Sequence, residues 1–396
     1  MKESNQGVTA DPVLLLAVLY FSANLYSFVT LIFGGEIFID SLTRGFDKQI
    51  VYLTGSTLLF AFALLLVVYR TCIKFCIAGE ELLFLNSWGW LLALLQSIFL
   101  LNNIYYGVNL AGVEDPDSGS SFKLLFSVVQ PDLLYLIIGV GLKSSRLFWL
   151  NTIMFAFSLL VRGWIGGFFI ILILYLCRNY PIQIRWKYVF WISLSSTICA
   201  LIFPFLVEAK WFLRADGSLD DAFNSIMDRG YFISLNDSLA YLANRFQMFG
   251  HVALIVENSK EVATAYSNNE FIPYWADGPL QWIILKINNI QIFQLNRYMV
   301  LNFFGSENLA YSTNPGIAGW IAFLQEKSLF FIVFIVAMTL FPARFAFRYA
   351  GRTYFLIVYS FVFVYLFHGW IGAYFNLLVY MFAFLLINKI FLRKNS

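Results

Sequence analysis

The chain has 396 residues, of which 60% are apolar, 19% aromatic and only 12% charged, and its mean hydropathy is +0.73. Soluble domains carry about 25% charged residues, so the composition excludes an ordinary soluble protein and indicates a polytopic membrane protein. The formal net charge of +3 excludes little by itself, because the segments between the apolar stretches carry opposite signs. The first apolar stretch, 13–33, is too long for a secretory signal and lacks a small-residue cleavage site, so we expect a retained first span.

Hydropathy divides most of the chain into apolar segments of helical length. We predict an all-α polytopic fold with about ten transmembrane helices and three regions: 1–207 with seven spans, 208–328 as one large loop, and 329–396 with three spans and a tail. The expected spans are 12–33, 51–69, 82–101, 124–142, 147–161, 163–177, 188–207, 329–343, 353–367 and 370–388.

Basic residues in the short loops set the expected orientation. Alternate loops carry most of them: Arg70, Lys74, Lys143, Arg146, Arg178, Arg185, Lys187, Arg344, Arg348 and Arg352, followed by Lys389, Arg393 and Lys394 in the tail. Lysine and arginine concentrate on the cytoplasmic side of membrane proteins. We therefore expect both termini in the cytoplasm and the large loop on the opposite face.

Arg162 is then in an unexpected place. It is a single cation in the apolar stretch 147–177, whose 31 residues exceed the roughly 20 that one spanning helix needs. Two helices with Arg162-Gly163 at their tip would put this guanidinium on the translocated face. Orientation does not explain a cation there, so we interpret Arg162 as the ligand of an anion.

The large loop contains a second group of candidate residues. Over 208–327 it has 8 basic and 12 acidic residues, a net charge of −4, and apolar periodicity in 239–256 and 280–295 predicts amphipathic helices. On a helix, Asn244, Gln247 and His251 would share one face with Arg245 at its edge, a pattern suited to sugar hydroxyls beside a phosphate. Further candidates for substrate binding are Arg229, Arg297 and Asn314, with Tyr274, Trp275, Trp282 and Trp320 as aromatic rings that could stack on sugars.

Several chemistries have no support in the sequence. The four cysteines, Cys72, Cys76, Cys177 and Cys199, lie outside the large loop and give no disulfide framework there. The chain has two histidines, no Gly-x-x-x-x-Gly-Lys-Ser/Thr phosphate loop and no Gly-x-Ser-x-Gly, so we expect no metal, no cofactor, no direct use of ATP and no nucleic-acid partner.

The ensemble of these features resembles the Wzy-type O-antigen polymerases of the O-antigen ligase/polymerase superfamily. Arg162-Gly163 resembles the arginine of a small outer loop in that superfamily, Asn244-Arg245-Phe246 an element of the polymerases' long loop, and 312–320 their glycine-bearing re-entrant segment. The ligases carry a histidine close to that segment, whereas His251 lies some 60 residues earlier, which favours a polymerase. The resemblance implies a GT-C-like fold with a helical periplasmic loop.

The activity implied is glycosyl transfer at the periplasmic face of the bacterial inner membrane. Oligosaccharide repeats linked to undecaprenyl pyrophosphate would be joined, with the lipid bilayer and a chain-length regulator as further partners. Arg162 and Arg245 would stabilise the pyrophosphate leaving group, because arginine binds phosphate bidentately and stays charged. His251 would act as base or orient a hydroxyl, with Asp237 and Glu307 as other carboxylates in the loop.

Three alternatives remain open at this stage. An O-antigen ligase would use the same donor. Another GT-C glycosyltransferase acting on lipid-linked sugars would place an acidic residue in the first outer loop, where Glu36 and Asp40 are available. A transporter of lipid-linked oligosaccharide would not be an enzyme, but such proteins usually show internal repeats and polar residues within their spans.

Overall fold

A computed structural model of the chain describes residues 8–40, 42–110, 122–164, 166–184, 186–214, 219–278, 293–306, 313 and 315–393. Helices dominate these ranges, and strands are few and short. The helices, numbered in chain order, are α1 Pro12–Ile32, α2 Lys48–Phe75, α3 Asn86–Tyr106, α4 Lys123–Val128, α5 Pro131–Leu134, α6 Ser145–Val161, α7 Gly167–Arg178, α8 Trp186–Arg214, α9 Leu219–Arg229, α10 Tyr231–Asn244, α11 Phe249–Glu257, α12 Ser259–Ser267, α13 Leu295–Phe303, α14 Gly316–Leu324, α15 Ser328–Phe361 and α16 Ile371–Arg393. The strands are β1 Val8–Ala10, β2 Ile37–Ile39, β3 Leu42–Arg44 and β4 Ile182–Ile184.

The helix lengths fit a multi-pass membrane protein. Within the described ranges, four helical stretches are long and apolar enough to cross a bilayer: Pro12–Ile32, Lys48–Phe75, Asn86–Tyr106 and Gly316–Leu366. Shorter apolar helices occupy Ser145–Val161, Gly167–Arg178, Ser193–Ala209 and Ile371–Ile387. A single turn at Arg162 and Gly163 separates α6 from α7, as the length of that stretch predicts.

One end of the bundle gathers the loops that are rich in arginine and lysine. β1 pairs antiparallel with β4 there, and the Arg352 guanidinium donates to the Tyr180 hydroxyl at 2.8 Å. The Glu81 carboxylate accepts the backbone N–H groups of Arg352 and Thr353, which caps the second half of α15. The loops that the charge pattern assigns to one side therefore contact one another.

The opposite end holds the parts of the large loop that pack into the bundle. α11 contacts α1, α2 and α14, and all eight residues from Phe249 to Val256 are buried. Gly319 of α14 approaches α11 so closely that a Cβ would meet the Ile255 side chain at 2.6 Å. A helix that is apolar on every side belongs in a core, so α11 and α14 are packed among the spans and do not form a solvated cap.

The structure departs from the expected elements in three places. The expected span 124–142 is broken into α4, α5 and a π-helical turn, Tyr135–Gly139, because Pro131 disfavours helical geometry at Gln130. The expected spans 329–343 and 353–367 lie in two helices of α15 that meet at a kink, where Gly351 has φ 85° and ψ −173°; the difference is that the expected loop 344–350 is helical. The single amphipathic helix expected over 239–256 is wrong, since α10 ends at Asn244 and α11 begins at Phe249; most of the second, 280–295, lies outside the described residues.

The orientation can be tested by fusion to alkaline phosphatase, which is active only outside the cytoplasm. Fusions after Gly163 or within 215–320 should be active, whereas fusions after Lys143 or Arg348 should be silent, because cytoplasmic loops hold the excess of basic residues. Enzyme activity normalised to the amount of fusion protein is the measurement. An active fusion at Arg348 would overturn the orientation.

Candidate functional site

Asn24, a buried amide within α1, organises the site. Its Nδ2 donates to the Phe246 carbonyl at 3.4 Å and to the Tyr20 carbonyl at 2.7 Å, while its Oδ1 accepts the Met248 N–H at 2.8 Å. Asn24 lies eight residues before the end of α1 at Ile32, which is about 12 Å along a helix. The segment between α10 and α11 therefore descends beside α1, well below the helix end.

The same segment is held from within by Gln247. Its Nε2 donates to Asn244 Oδ1 at 2.5 Å, and its Oε1 accepts the Gly250 N–H at 2.9 Å. This last bond satisfies one of the free N–H groups in the first turn of α11. Asn244 and Gln247 are thus adjacent, as the sequence pattern predicts, but they join two helices and do not line the face of one.

His251 pairs with Asp40 of the first loop. Nε2 of His251 lies 2.7 Å from Asp40 Oδ2, and Nδ1 is buried without a hydrogen-bond partner. The β2–β3 hairpin presents Asp40 with φ 52°, a left-handed conformation that aspartate tolerates better than most residues. Gly250 permits the contact, because a Cβ there would meet Ile39 Cγ1 at 2.5 Å.

Arg245 directs its guanidinium away from the core. It follows the last residue of α10, is exposed, donates to the Tyr241 hydroxyl at 2.8 Å and lies over that ring with its Cζ 4.8 Å from the centroid. Burial would raise the pKa of Asp40, but the hydrogen bond to His251 and the charges of His251 and Arg245 outweigh it, so this pKa lies below its ordinary value. Asp40 is therefore ionised at neutral pH.

His368 supports the Arg245 backbone from the turn between α15 and α16. Its Nε2 lies 3.4 Å from the Arg245 carbonyl oxygen and its Nδ1 3.3 Å from that of Phe363. Burial lowers the pKa of His368 to about 4, so the ring is neutral at pH 7 and donates to one of these two carbonyls. The His368 carbonyl accepts the Gly316 N–H at 3.0 Å, which joins α14 to the same turn.

Arg162 has a counterion. Its Nη2 donates to Asp132 Oδ2 at 2.7 Å and its Nε to the Ser158 carbonyl at 3.2 Å. The guanidinium is buried and lies over the rings of Phe99 and Trp164, 5.1 and 5.6 Å from their centroids. Asp132 offsets the charge that the sequence presents as a single cation, and the role of Arg162 in catalysis stays a prediction.

The other predicted ligands are dispersed. Arg229 pairs with Glu208 at 3.2 Å and has 55% of its side chain exposed, Arg297 is buried in α13, and Trp275 is exposed. Trp282 and Asn314 lie outside the described residues. Of the expected set, the structure therefore brings Asn244, Arg245, Gln247 and His251 together.

Sequence reasoning missed three residues that hold this cluster. The sequence offers Asp40 only as an acidic residue of the first outer loop, because its hydrogen bond to His251 joins residues 211 positions apart. Asn24 had a usable signal, because an amide in an apolar span requires a partner. His368 had none beyond its position at the junction of two expected spans.

The cluster combines an exposed cation, an ionised carboxylate and an imidazole. With the proton on Nε2 held towards Asp40, the Nδ1 lone pair of His251 meets no protein donor, but the atom is buried, so a substrate hydroxyl must open a path to it before it can give up a proton there. The Arg245 fork can bind a phosphate bidentately. Among the residues that the structure describes, no group of three or more histidine, cysteine, aspartate or glutamate side chains is placed to hold a metal ion.

Comparison with known proteins finds no counterpart for the chain: no protein-family model, no curated protein and no solved structure matches it.

The Arg162–Asp132 pair predicts coupled effects on stability. Asp132→Ala should lower the free energy of unfolding in detergent by about 1–3 kcal/mol, because it leaves a buried guanidinium without its counterion. Arg162→Ala combined with Asp132→Ala should cost less than the sum of the single variants. As a control, Arg44→Ala removes the exposed pair with Glu257 and should cost about 0–1 kcal/mol. Additive single effects would show that the two charges are independent.

Proposed function

We propose that this chain is a glycosyltransferase that joins oligosaccharide repeats carried on undecaprenyl pyrophosphate, in the manner of a Wzy-type O-antigen polymerase. The observation that carries the proposal is the Asp40–His251 pair together with the exposed Arg245, whose charge acts on Asp40, in a segment held against α1 by Asn24. A lipid-linked pyrophosphate needs a cation near the bilayer surface and a proton acceptor beside it. This arrangement offers both.

The proposed topology has ten spans, both termini in the cytoplasm and the site at the periplasmic face of the inner membrane. The basic loops that contact one another at one end of the bundle support this orientation, since they would all be cytoplasmic. The short helices α11 and α14 then bring periplasmic residues to the level of the lipid headgroups. A GT-C-like arrangement of spans beneath a helical loop is part of the same proposal.

The reaction would proceed by attack of a sugar hydroxyl on the anomeric carbon of the donor. A new glycosidic C–O bond forms, the bond between the anomeric carbon and the pyrophosphate oxygen breaks, and the electron pair leaves with the lipid pyrophosphate. Arg245 would stabilise the negative charge that develops on this leaving group. A preorganised donor of this kind is commonly worth about 100- to 1000-fold in rate.

The hydroxyl proton would pass to His251. With Nε2–H hydrogen-bonded to Asp40, the Nδ1 atom has the free lone pair and Asp40 would stabilise the imidazolium that results. Asn244 and Gln247 use their amides on each other and on Gly250. We therefore assign them to holding the loop, while a direct contact with sugar stays a prediction.

One observation favours a second candidate function. Asp40 belongs to the first loop, where a GT-C glycosyltransferase of another family would place its acidic catalytic residue. In that case Asp40 would take the proton and His251 would position it. The proposed polymerase and this rival differ in which member of the pair is indispensable.

The test of the proposed function is to delete the gene in its own strain and separate the surface polysaccharide by electrophoresis. Loss of the ladder with a single repeat retained would identify a polymerase, and loss of every repeat would identify a ligase or a transporter. Complementation with Arg245→Ala should restore no ladder, because the developing charge loses about 100-fold or more of stabilisation. Arg245→Lys should restore a part, because the charge remains but the fork is lost.

The matched control is Lys260→Ala, which removes an exposed charge from α12 in the same loop and should give a normal ladder. All variants must accumulate in the membrane to wild-type amounts. A normal ladder from Arg245→Ala would exclude the guanidinium from the reaction.

His251→Gln and Asp40→Asn separate the two assignments of the base. If His251 takes the proton, His251→Gln should lower polymerisation by about 100-fold, within the range of general base catalysis, and Asp40→Asn should lower it less. If Asp40 takes the proton, the order reverses. If His251 only orients a hydroxyl, glutamine should retain most activity, since an amide replaces that hydrogen bond. Ladder formation at equal protein abundance is the measurement, and near-normal ladders from both His251→Ala and Asp40→Asn would remove the pair from the reaction.

A further inference from the structure

A small polar cavity lies next to the Arg245 cluster, between the large loop and the turn that joins α15 to α16. Its volume is about 170 Å³, and its polar wall is formed by Asp277, Gln294 and Asn296. Trp320 and Trp370 form aromatic walls. The reaction proposed above uses none of these five side chains.

The cavity is built by a close approach of two backbones. Asp277 Oδ1 accepts Gln294 Nε2 at 2.6 Å, and Oδ2 accepts the Gly372 N–H at 3.0 Å. Gly278 has φ +92°, and a Cβ on Gly372 would meet Asp277 Oδ1 at 2.6 Å. The carboxylate therefore fixes the loop to the first turn of α16, and glycine at both positions lets the walls meet.

The side chains that line the cavity are suited to an uncharged ligand with several hydroxyl groups. None of the residues that line the cavity is lysine or arginine, and Asp277 contributes a carboxylate, so an anion such as phosphate would be repelled. Both oxygens of Asp277 already accept hydrogen bonds, Oδ1 from Gln294 and Oδ2 from the Gly372 N–H, and no second acidic residue of the described ranges lines the cavity to hold a cation. Carboxylate and amide groups beside indole rings match the hydroxyls and the apolar face of a sugar ring.

The His368 ring lies between the cavity and the backbone of Arg245. Trp370 stacks on His368 with centroids 5.5 Å apart and an interplanar angle of 21°. His368 in turn lies 3.4 Å from the Arg245 carbonyl oxygen. Pro315, which precedes α14, also lines the cavity. The cavity is thus linked through Trp370 and His368 to the backbone that carries Arg245.

We propose that this cavity binds one uncharged pyranose ring, with the Asn296 amide on its hydroxyls and the Trp370 indole on its apolar face. That this ring belongs to a lipid-linked oligosaccharide rests on the proposed function; the binding of a neutral sugar does not. The volume admits a single ring, so the cavity is a subsite and not the whole binding groove.

The test uses the full chain purified in detergent and saturation-transfer NMR with a panel of methyl glycosides of glucose, galactose, mannose, rhamnose and N-acetylglucosamine. At least one glycoside should bind, and Asn296→Ala and Trp370→Ala should each weaken its apparent affinity by about tenfold, equivalent to about 1.4 kcal/mol. Trp90→Ala is the matched control, because this exposed tryptophan of α3 does not line the cavity. It should leave the affinity unchanged, and inorganic pyrophosphate should not compete.

Thermal melting of each variant verifies the fold, and Trp370→Phe, which keeps an aromatic face, should bind more tightly than Trp370→Ala. No binding by any glycoside, or equal binding by wild type, Asn296→Ala and Trp370→Phe, would overturn the proposal, as would competition by pyrophosphate. Arg245→Ala separates it from the proposed function. If Asn296→Ala loses sugar binding but Arg245→Ala still makes a ladder, the polymerase mechanism alone is refuted. If Asn296→Ala still binds the sugar but Arg245→Ala makes no ladder, the cavity proposal alone is refuted.

Discussion

The site depends on the satisfaction of one buried amide. Asn24 lies within an apolar helix, where an unpaired polar group costs several kcal/mol. The break between α10 and α11 leaves backbone N–H and C=O groups without helical partners. Such non-helical backbone at membrane depth is tolerated only where protein covers it. The Asn24 amide accepts the Met248 N–H and donates to the Phe246 carbonyl. These bonds satisfy both the buried side chain and the non-helical backbone, so neither is left with an unpaired polar group. This mutual requirement draws the large loop down against the first span.

The position of the break then decides where the charged groups lie. Because α10 ends at Asn244, Arg245 is outside the core, and because α11 starts five residues later at Phe249, His251 is inside it. One continuous helix would have put the two side chains on neighbouring surfaces with similar exposure. The kink instead gives an exposed cation and a buried imidazole a short distance apart, and the glycine at position 250 lets the hairpin deliver Asp40 to the ring.

The sequence predicts features that rest on local composition and misses those that rest on long-range pairing. The length of the apolar stretch predicts two helices on either side of Arg162. The distribution of basic residues predicts which loops lie on one side, and the hydrogen bond from the Arg352 N–H to the Glu81 carboxylate joins two of these loops. The break at 245–248 contains neither proline nor glycine, so periodicity continues through it and predicts one helix. It is created by Asn24 and Gln247, whose partners are up to 224 positions away. The pairing of Asp40 with His251 is hidden for the same reason, although both residues stand out as polar groups in apolar surroundings.

The charges of the cluster also fit the course of the proposed reaction. In the proposed mechanism His251 starts as the uncharged base, so the charges of Arg245 and Asp40 balance each other before the reaction. When the hydroxyl proton moves to His251, the cluster gains one positive charge as the leaving pyrophosphate gains a negative one. Stabilisation that grows along the reaction coordinate favours the transition state over the bound substrate. Arg162 pairs with Asp132 and would lack this property, so the proposed mechanism rests on Arg245 as the cation.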